Sequence, residues 1–282
     1  MKRKRKLKKW VFIVILLIFG TFLGYGLFNI ITWKVDQHEF VVLEKKIAED
    51  VEVIEKSGDE EHVEFVGKPQ NIKETDYQYY MKLPFIQIDF GKLKEKNSDT
   101  VGFLKVGGTN INYPIVYSGD NEYYLTHAFD KSSNQAGWVF MDYRNSLNDL
   151  SDNTIFYGHG RVDGTVFGSL KNVLTKSWQS NKENYIVQIS GLTYNYVFEI
   201  FSVYSVAKES FYVSVEFENI YDKENWVKTI KARDEGNLGV DVSRDDYILT
   251  LSTCKDAHGE ARIVAHAKLL KKESVTVQSR TL

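Results

Sequence analysis

The chain has 282 residues, 43% of them hydrophobic and 26% charged, so it is long and apolar enough to bury the core of a globular domain. Its formal net charge of −2 gives no general electrostatic reason to expect binding to nucleic acid. Its single cysteine, Cys254, excludes an intrachain disulfide.

The N-terminal segment predicts a membrane anchor. Residues 1–9 contain seven Lys or Arg, and residues 10–33 contain no charged side chain. About 20 apolar residues suffice to span the core of a bilayer. The alternative is a cleaved signal peptide, but the stretch is longer than the usual apolar region and lacks a small-residue cleavage site. We therefore expect a single-pass protein of the cell membrane, with a cytoplasmic N-terminus and the rest of the chain outside the cell.

The segment after the anchor favours a stalk. Residues 36–57 place apolar residues among charges at helical spacing, and the polar residues 58–75 favour a linker. The expected organisation is therefore a basic segment (1–9), an anchor (10–33), a stalk of helix and linker (34–76), a globular domain (77–270) and a frayed tail (271–282).

The globular part predicts a mainly β fold. Many short apolar or alternating runs separated by turn residues are typical of a barrel or sandwich. Helices are expected over 88–99 and 216–233. Strands are expected within 101–117, 137–145, 153–160, 185–206, 245–254 and 262–270.

Three side chains could carry out acyl transfer together. Cys254 ends an alternating run, His159 follows another run between two glycines, and Arg262 opens the last strand. A thiolate can attack a carbonyl. An imidazole can protonate a leaving amine and deprotonate an incoming one, and a guanidinium can bind a carbonyl or an oxyanion. A cysteine and a histidine occur together in many proteins, so the three residues alone do not decide the reaction.

The motifs around these residues resemble those of the sortase family. T-L-S-T-C at 250–254, followed by Arg262, is similar to the family's cysteine and arginine signature, and Y-G-H at 157–159 is similar to its histidine motif. The segment 89–106, D-N-E-Y-Y-L at 120–125 and the helix at 216–233 resemble features of class B. The resemblance covers residues 77–270. It implies a closed eight-stranded β-barrel with N-terminal helices and one helix between late strands, preceded by the membrane helix.

The resemblance also implies residue roles. Cys254 would be the nucleophile, His159 the acid and base, and Arg262 the contact to the carbonyl or oxyanion. Asp256 is a candidate for orienting His159, or else a solvated loop carboxylate. His258 is a weaker alternative to His159, because it lies in a polar loop. His266 alternates with apolar residues and faces either solvent or the core. The residues expected to bind the substrate are Asn121, Leu125, Ser252, Thr253, Tyr212 and Val213.

The implied activity is that of a cysteine transpeptidase of Gram-positive bacteria. It would cleave secreted proteins after the Thr of a C-terminal sorting signal similar to Asn-Pro-x-Thr, through a thioacyl-enzyme. The acceptor would be an amine of a lipid II-type peptidoglycan precursor or a pilin lysine, the latter making the protein a pilin polymerase. Other interpretations are an extracellular cysteine peptidase that only hydrolyses and a non-catalytic binding module on the same barrel. We expect no cofactor, no metal and no nucleic acid.

Overall fold

The computed structural model of the chain describes residues 8–58, 63–65, 74–253 and 261–275, except for the side chains of residues 74–77. The helices are α1 (Lys9–Asp50), α2 (Glu74–Lys82), α3 (Gly91–Lys96), α4 (Lys176–Gln179) and α5 (Ile220–Ala232). The strands are β1 (Ile54–Lys56), β2 (Val63–Phe65), β3 (Phe85–Gln87), β4 (Thr100–Val106), β5 (Asn112–Val116), β6 (Phe140–Met141), β7 (Asn153–Gly158), β8 (Ile186–Gly191), β9 (Tyr194–Ala207), β10 (Ile248–Thr253) and β11 (Ala261–Ser274).

Eight strands close into a barrel, as the sequence predicts. Their order is β10-β7-β6-β5-β4-β8-β9-β11, and β11 pairs back onto β10 in antiparallel register. The short strand β2 adds to the far end of β11. Among the described residues, each of the eight barrel strands pairs with a strand on both sides, so closure removes the free edge strands of an open sheet.

Helix α1 is a single continuous helix of 42 residues. Within the described residues it is the one helix long and apolar enough to cross a membrane, by length and composition. At 1.5 Å per residue such a helix extends about 60 Å, which is roughly twice the thickness of a bilayer core. Its second half therefore extends beyond any membrane that its first half crosses.

The second half of α1 packs against the barrel. Phe40 and Ile47 are buried, and the Phe40 ring lies 5.3 Å from that of Trp138. The two helix residues are seven positions apart, so they lie on the same face of the helix. Where the structure describes it, the expected stalk at 34–76 is thus joined to the barrel rather than separate from it.

Two expected boundaries differ from the structure. The helix predicted over 36–57 ends at Asp50, and residues 54–56 form β1, which pairs with β3. The tail expected from residue 271 is part of β11 as far as Ser274. Lys271 is buried there and donates hydrogen bonds to the Met81 and Leu83 carbonyls at 3.0 and 2.6 Å. Those contacts hold the end of the strand in place.

The helix predicted between late strands is α5. Asn219 caps it, because its Oδ1 accepts the N–H groups of Tyr221 and Asp222 at 2.9 and 3.1 Å. Trp226 and Ile230 on its inner face are buried in a cluster that the barrel completes. The helix therefore covers the outside of the barrel next to β9 and β10.

Candidate active site

The ends of two parallel strands define the site. In the register of β7 and β10, Ser252 faces Tyr157 and Thr253 faces Gly158. Parallel strands that end together present the residues that follow them at one edge of the sheet. His159 follows Gly158, and Cys254 follows Thr253 in the sequence. Cys254 lies outside the described residues, as do Asp256 and His258.

Arg262 lies at the same end of the barrel. Ser252 faces Val264 in the antiparallel pair of β10 and β11, and the Ile263 N–H donates to Thr253 Oγ1 at 2.9 Å. Arg262 precedes Ile263, so its backbone lies beside the end of β10. Its Nη1 is buried and has no hydrogen-bond partner among the described residues. Such unsatisfied buried donors are uncommon in folded proteins, and this one is suited to bind a carbonyl oxygen or an oxyanion.

A backbone carbonyl fixes the His159 ring. Nε2 lies 2.7 Å from the Leu125 carbonyl oxygen. Because a carbonyl can only accept, Nε2 carries the proton of the neutral ring, and Nδ1 is its acceptor nitrogen. The His159 carbonyl accepts the N–H groups of Arg161 and Phe167, both at 3.0 Å. Hydrogen bonds therefore hold both the ring and the backbone of His159.

Two glycines make room around this histidine. A Cβ on Gly158 would lie 2.8 Å from the Phe167 ring, so glycine there lets Phe167 pack against the strand. Gly137 has a positive φ of 62°, and a Cβ there would lie 2.5 Å from the Tyr124 carbonyl and 2.9 Å from His159 Cδ2. The sequence pattern singled out the glycine next to the histidine but not Gly137.

The side chain of Asn121, which the sequence predicts to bind substrate, makes hydrogen bonds to other residues of the protein. Its Nδ2 donates to Asp142 Oδ2 at 3.0 Å, and its Oδ1 accepts the Tyr143 N–H at 3.0 Å. An amide side chain has two N–H groups and two acceptor lone pairs. These two bonds use one N–H and one lone pair of the Asn121 amide and fix its position.

The structure brings the other predicted substrate residues to the same end of the barrel. Tyr212 is buried, and its hydroxyl lies 3.1 Å from Ser252 Oγ. The neighbouring Val213 carbonyl accepts from Arg144 Nη2 at 3.0 Å. Leu125 contacts His159 through its carbonyl, and Thr253 binds the backbone of β11. These contacts place two segments, 121–125 and 211–213, beside the strand ends.

His266 belongs to the core and not to this site. It is buried, and its Nδ1 and Nε2 lie 2.8 Å from Thr250 Oγ1 and from the Tyr204 hydroxyl. The Thr250 hydroxyl donates to Asn153 Oδ1 at 2.7 Å, so Nδ1 must donate to Thr250 and Nε2 must accept from Tyr204. Burial, followed by the positive charge of Arg233, lowers the pKa of His266 to about 3.

Sequence reasoning missed a group of polar residues beneath the site. The segment 137–145 was expected to be a strand, but β6 ends at Met141 and the chain turns, with the Asn145 N–H bound to the Asp142 carbonyl at 3.0 Å. Asp142 and Arg144 in this turn contact residues far away in sequence.

No group of three or more side chains suited to hold a metal occurs in the described parts of the chain.

Comparison with known proteins agrees with this geometry. Residues 104–270 match the family model described as the Sortase domain. The chain belongs to the sortase family. It is 39% identical over 183 residues to sortase B of Listeria monocytogenes, covering 64% of this chain and 73% of that protein. It is 35% identical over 188 residues to sortase B of Staphylococcus aureus, covering 66% and 76%.

The fold gives the same result. A crystal structure of sortase B complexed with triglycine superposes with a TM-score of 0.60 at 34% identity, covering 66% of this chain and 86% of that one. The class B resemblance and the barrel expected from the sequence are thus confirmed. As a sortase, the protein is a cysteine transpeptidase.

Proposed function

We propose that this sortase cleaves a C-terminal sorting signal after its Thr, holds the acyl group on Cys254 and transfers it to an amine of a cell-wall precursor. The register of β7 and β10 is the observation that carries the proposal. It pairs the residue before Cys254 with the residue before His159.

In the first half-reaction, the Cys254 thiolate attacks the Thr carbonyl carbon and forms a C–S bond. The C–N bond then breaks, and His159 donates its proton to the leaving amine. Arg262 binds the carbonyl oxygen as negative charge develops on it. Its buried Nη1, without a partner among the described residues, supports this role. Asp256 is a candidate for orienting His159.

In the second half-reaction, an amine attacks the thioester. His159 takes up the proton of the amine, the new C–N bond forms, and the C–S bond breaks to restore the thiolate. The related sortase B structure with triglycine supports an acceptor that presents a glycine amine. We propose the amine of a lipid II-type peptidoglycan precursor as the acceptor. The matching proteins are sortases, which favours transfer over simple hydrolysis.

We propose that the sorting peptide lies between the segments 121–125 and 211–213. The contacts of Leu125 with His159 and of Tyr212 with Ser252 support this location. The peptide motif would be similar to Asn-Pro-x-Thr, as class B implies. The residues assigned to the groove are Asn121, Leu125, Ser252, Thr253, Tyr212 and Val213.

The membrane placement is also a proposal. Residues 10–33 would cross the bilayer, with residues 1–9 in the cytoplasm and the catalytic domain outside the cell. The seven basic residues before the apolar half of α1 support this orientation. An acceptor linked to lipid would then lie in the same membrane as the enzyme.

The test uses the full chain in detergent micelles with fluorogenic peptides that carry Asn-Pro-x-Thr-type or Leu-Pro-x-Thr-Gly-type signals. Triglycine and a lysine peptide serve as alternative acceptors. We expect cleavage after Thr and a product joined to triglycine. A product that is always the free acid, whatever amine is present, would favour a peptidase instead.

A further inference from the structure

The carboxylate of Asp142 joins groups from several parts of the chain. Its side chain has 0% exposure. Oδ1 accepts a hydrogen bond from Arg144 Nε at 2.8 Å and another from the backbone N–H of Arg144 at 3.0 Å. Oδ2 accepts Arg144 Nη2 at 2.8 Å, Asn121 Nδ2 at 3.0 Å and the Tyr157 hydroxyl at 3.0 Å. A bidentate pair between arginine and a carboxylate fixes geometry as well as charge.

Arg144 extends this cluster to the second segment of the groove. The Nη2 atom that binds Asp142 also donates to the Val213 carbonyl at 3.0 Å. Asp142 and Arg144 therefore form a bridge from the Asn121 side chain to the Val213 backbone. The Asn121 segment holds His159 through Leu125, and the Val213 segment contacts Ser252 through Tyr212. The bridge spans the histidine side and the cysteine side of the site.

Two other side chains donate hydrogen bonds to the backbone at the two ends of the turn at 211–214. Asn153 Nδ2 donates to the Ser214 carbonyl at 2.8 Å, and Trp226 Nε1 donates to the Phe211 carbonyl at 2.9 Å. These contacts fix the two ends of the turn. In the middle of the turn, Asn153 Nδ2 also lies 3.4 Å from the Tyr212 carbonyl, and Arg144 adds the contact that joins the Val213 carbonyl to the Asn121 side.

The charge state of the cluster stabilises the hydrogen bonds to the Asp142 carboxylate. Burial alone would raise the pKa of Asp142, but hydrogen bonds from Arg144 and Asn121 hold it below its ordinary value. Burial, followed by the charge of Asp142, raises the pKa of Tyr157. Asp142 is therefore an anion and Tyr157 a neutral donor near neutral pH.

We propose that Asp142 is a positioning residue, which acts through Arg144 and Asn121 to set the separation of the two groove segments and hence the affinity for the sorting peptide. The inference rests on the proposed function, because the groove is the one assigned there. Asp142 contacts no reacting atom in this account. Its loss weakens peptide binding in the ground state and the transition state alike, which raises KM and leaves kcat unchanged.

The test compares Asp142→Asn and Arg144→Lys with Asp152→Asn in the full chain, in detergent micelles. Asp152 makes an ion pair of similar length with Lys223, at 2.8 Å, that contacts neither groove segment. The Arg144 side chain is 37% exposed, so its lysine variant is expected to fold even if Asp142→Asn does not. We expect both bridge variants to raise KM for the sorting peptide about tenfold, with kcat within about threefold of the wild type. The control is expected to leave KM unchanged.

A second readout does not depend on activity. Amide hydrogen exchange is expected to speed up in 120–125 and in 211–214 together in the bridge variants, but not in Asp152→Asn. The proposal is overturned if KM of folded Arg144→Lys stays within about twofold of the wild type. It is also overturned if kcat falls at constant KM, or if exchange changes in neither segment. If the wild type cleaves no peptide, the proposed function is overturned. The role of the bridge in peptide binding is then overturned as well, whatever the exchange data show.

Discussion

Thr253 and Gly158 face each other at the ends of the parallel strands β10 and β7. The residues next in the chain are Cys254 and His159, and consecutive Cα atoms are about 3.8 Å apart. Backbone hydrogen bonds of the sheet, rather than side-chain contacts, therefore set where the proposed nucleophile and its proton donor start. The position of the His159 ring itself depends on its contact with the Leu125 carbonyl.

Gly137→Ala tests how the ring is held. An alanine at a φ of 62° costs about 1–2 kcal/mol of backbone strain. Its Cβ would also approach His159 Cδ2 and displace the ring from the Leu125 carbonyl. We expect kcat to fall at least about tenfold in peptide cleavage, because a displaced acid and base loses proton-transfer efficiency.

The matched control is Gly239→Ala. Gly239 also has a positive φ, of 71°, but no heavy atom lies within 4 Å of a Cβ placed there. We expect the backbone strain alone to lower the free energy of unfolding, by less than in Gly137→Ala, whose Cβ also approaches the Tyr124 carbonyl, and we expect no decrease in kcat. Equal kcat values for the two variants would show that the contact with His159 has no catalytic consequence.

Arg262→Met tests whether the guanidinium, whose Nη1 is buried, serves catalysis or stability. Loss of an oxyanion contact typically lowers kcat by about 10²–10³-fold. Because Nη1 has no hydrogen-bond partner among the described residues, we expect the free energy of unfolding to stay within about 1 kcal/mol of the wild type or to rise. Peptide kinetics and denaturant unfolding check the two effects. A variant that keeps its kcat but loses several kcal/mol of stability would assign Arg262 to the fold.

His266 predicts a pH dependence of stability. Its pKa in the folded protein is about 3, below the ordinary value of 6.5. Between these values the unfolded chain binds a proton that the folded protein does not, so stability falls as the pH decreases. From pH 7 to pH 5 this group should remove about 2 kcal/mol. Denaturant unfolding at both pH values should show that the free energy of unfolding of His266→Gln falls by about 2 kcal/mol less than that of the wild type. An equal fall in the two proteins would refute the assignment.

Phe40→Ala tests the contact between α1 and the barrel. Phe40 is 1% exposed and packs on Trp138, and truncation of a buried Phe costs about 3–5 kcal/mol. We expect the variant to lower the free energy of unfolding of the catalytic domain by that order. Val41→Ala, at a neighbouring position that is 45% exposed, should change it by less than about 0.5 kcal/mol. If Phe40→Ala has no effect, the stalk is independent of the barrel.

Local patterns predicted the elements whose side chains alternate or repeat within one segment. The strands before Thr253 and after Arg262 have such patterns, and so does α5. The contacts that the sequence did not predict join distant positions. Phe40 packs on Trp138 and beneath Arg161, both far along the chain, and Asp142 binds Asn121 and Arg144 through a turn whose pattern predicts a strand. The identity of the proposed nucleophile depended on the motif around Cys254, since spacing alone leaves the reaction undecided.

The most direct test of the central claim is the intact mass of the full-length protein after incubation with a sorting peptide in the absence of any amine acceptor. Quenching in acid should preserve an adduct with the mass of the acyl fragment up to Thr, and digestion should place it on Cys254. The adduct should disappear when triglycine is added before the quench, and Cys254→Ala should form none. Cleavage of the peptide without an adduct, or with the acyl group on another residue, would contradict the proposed thioacyl mechanism.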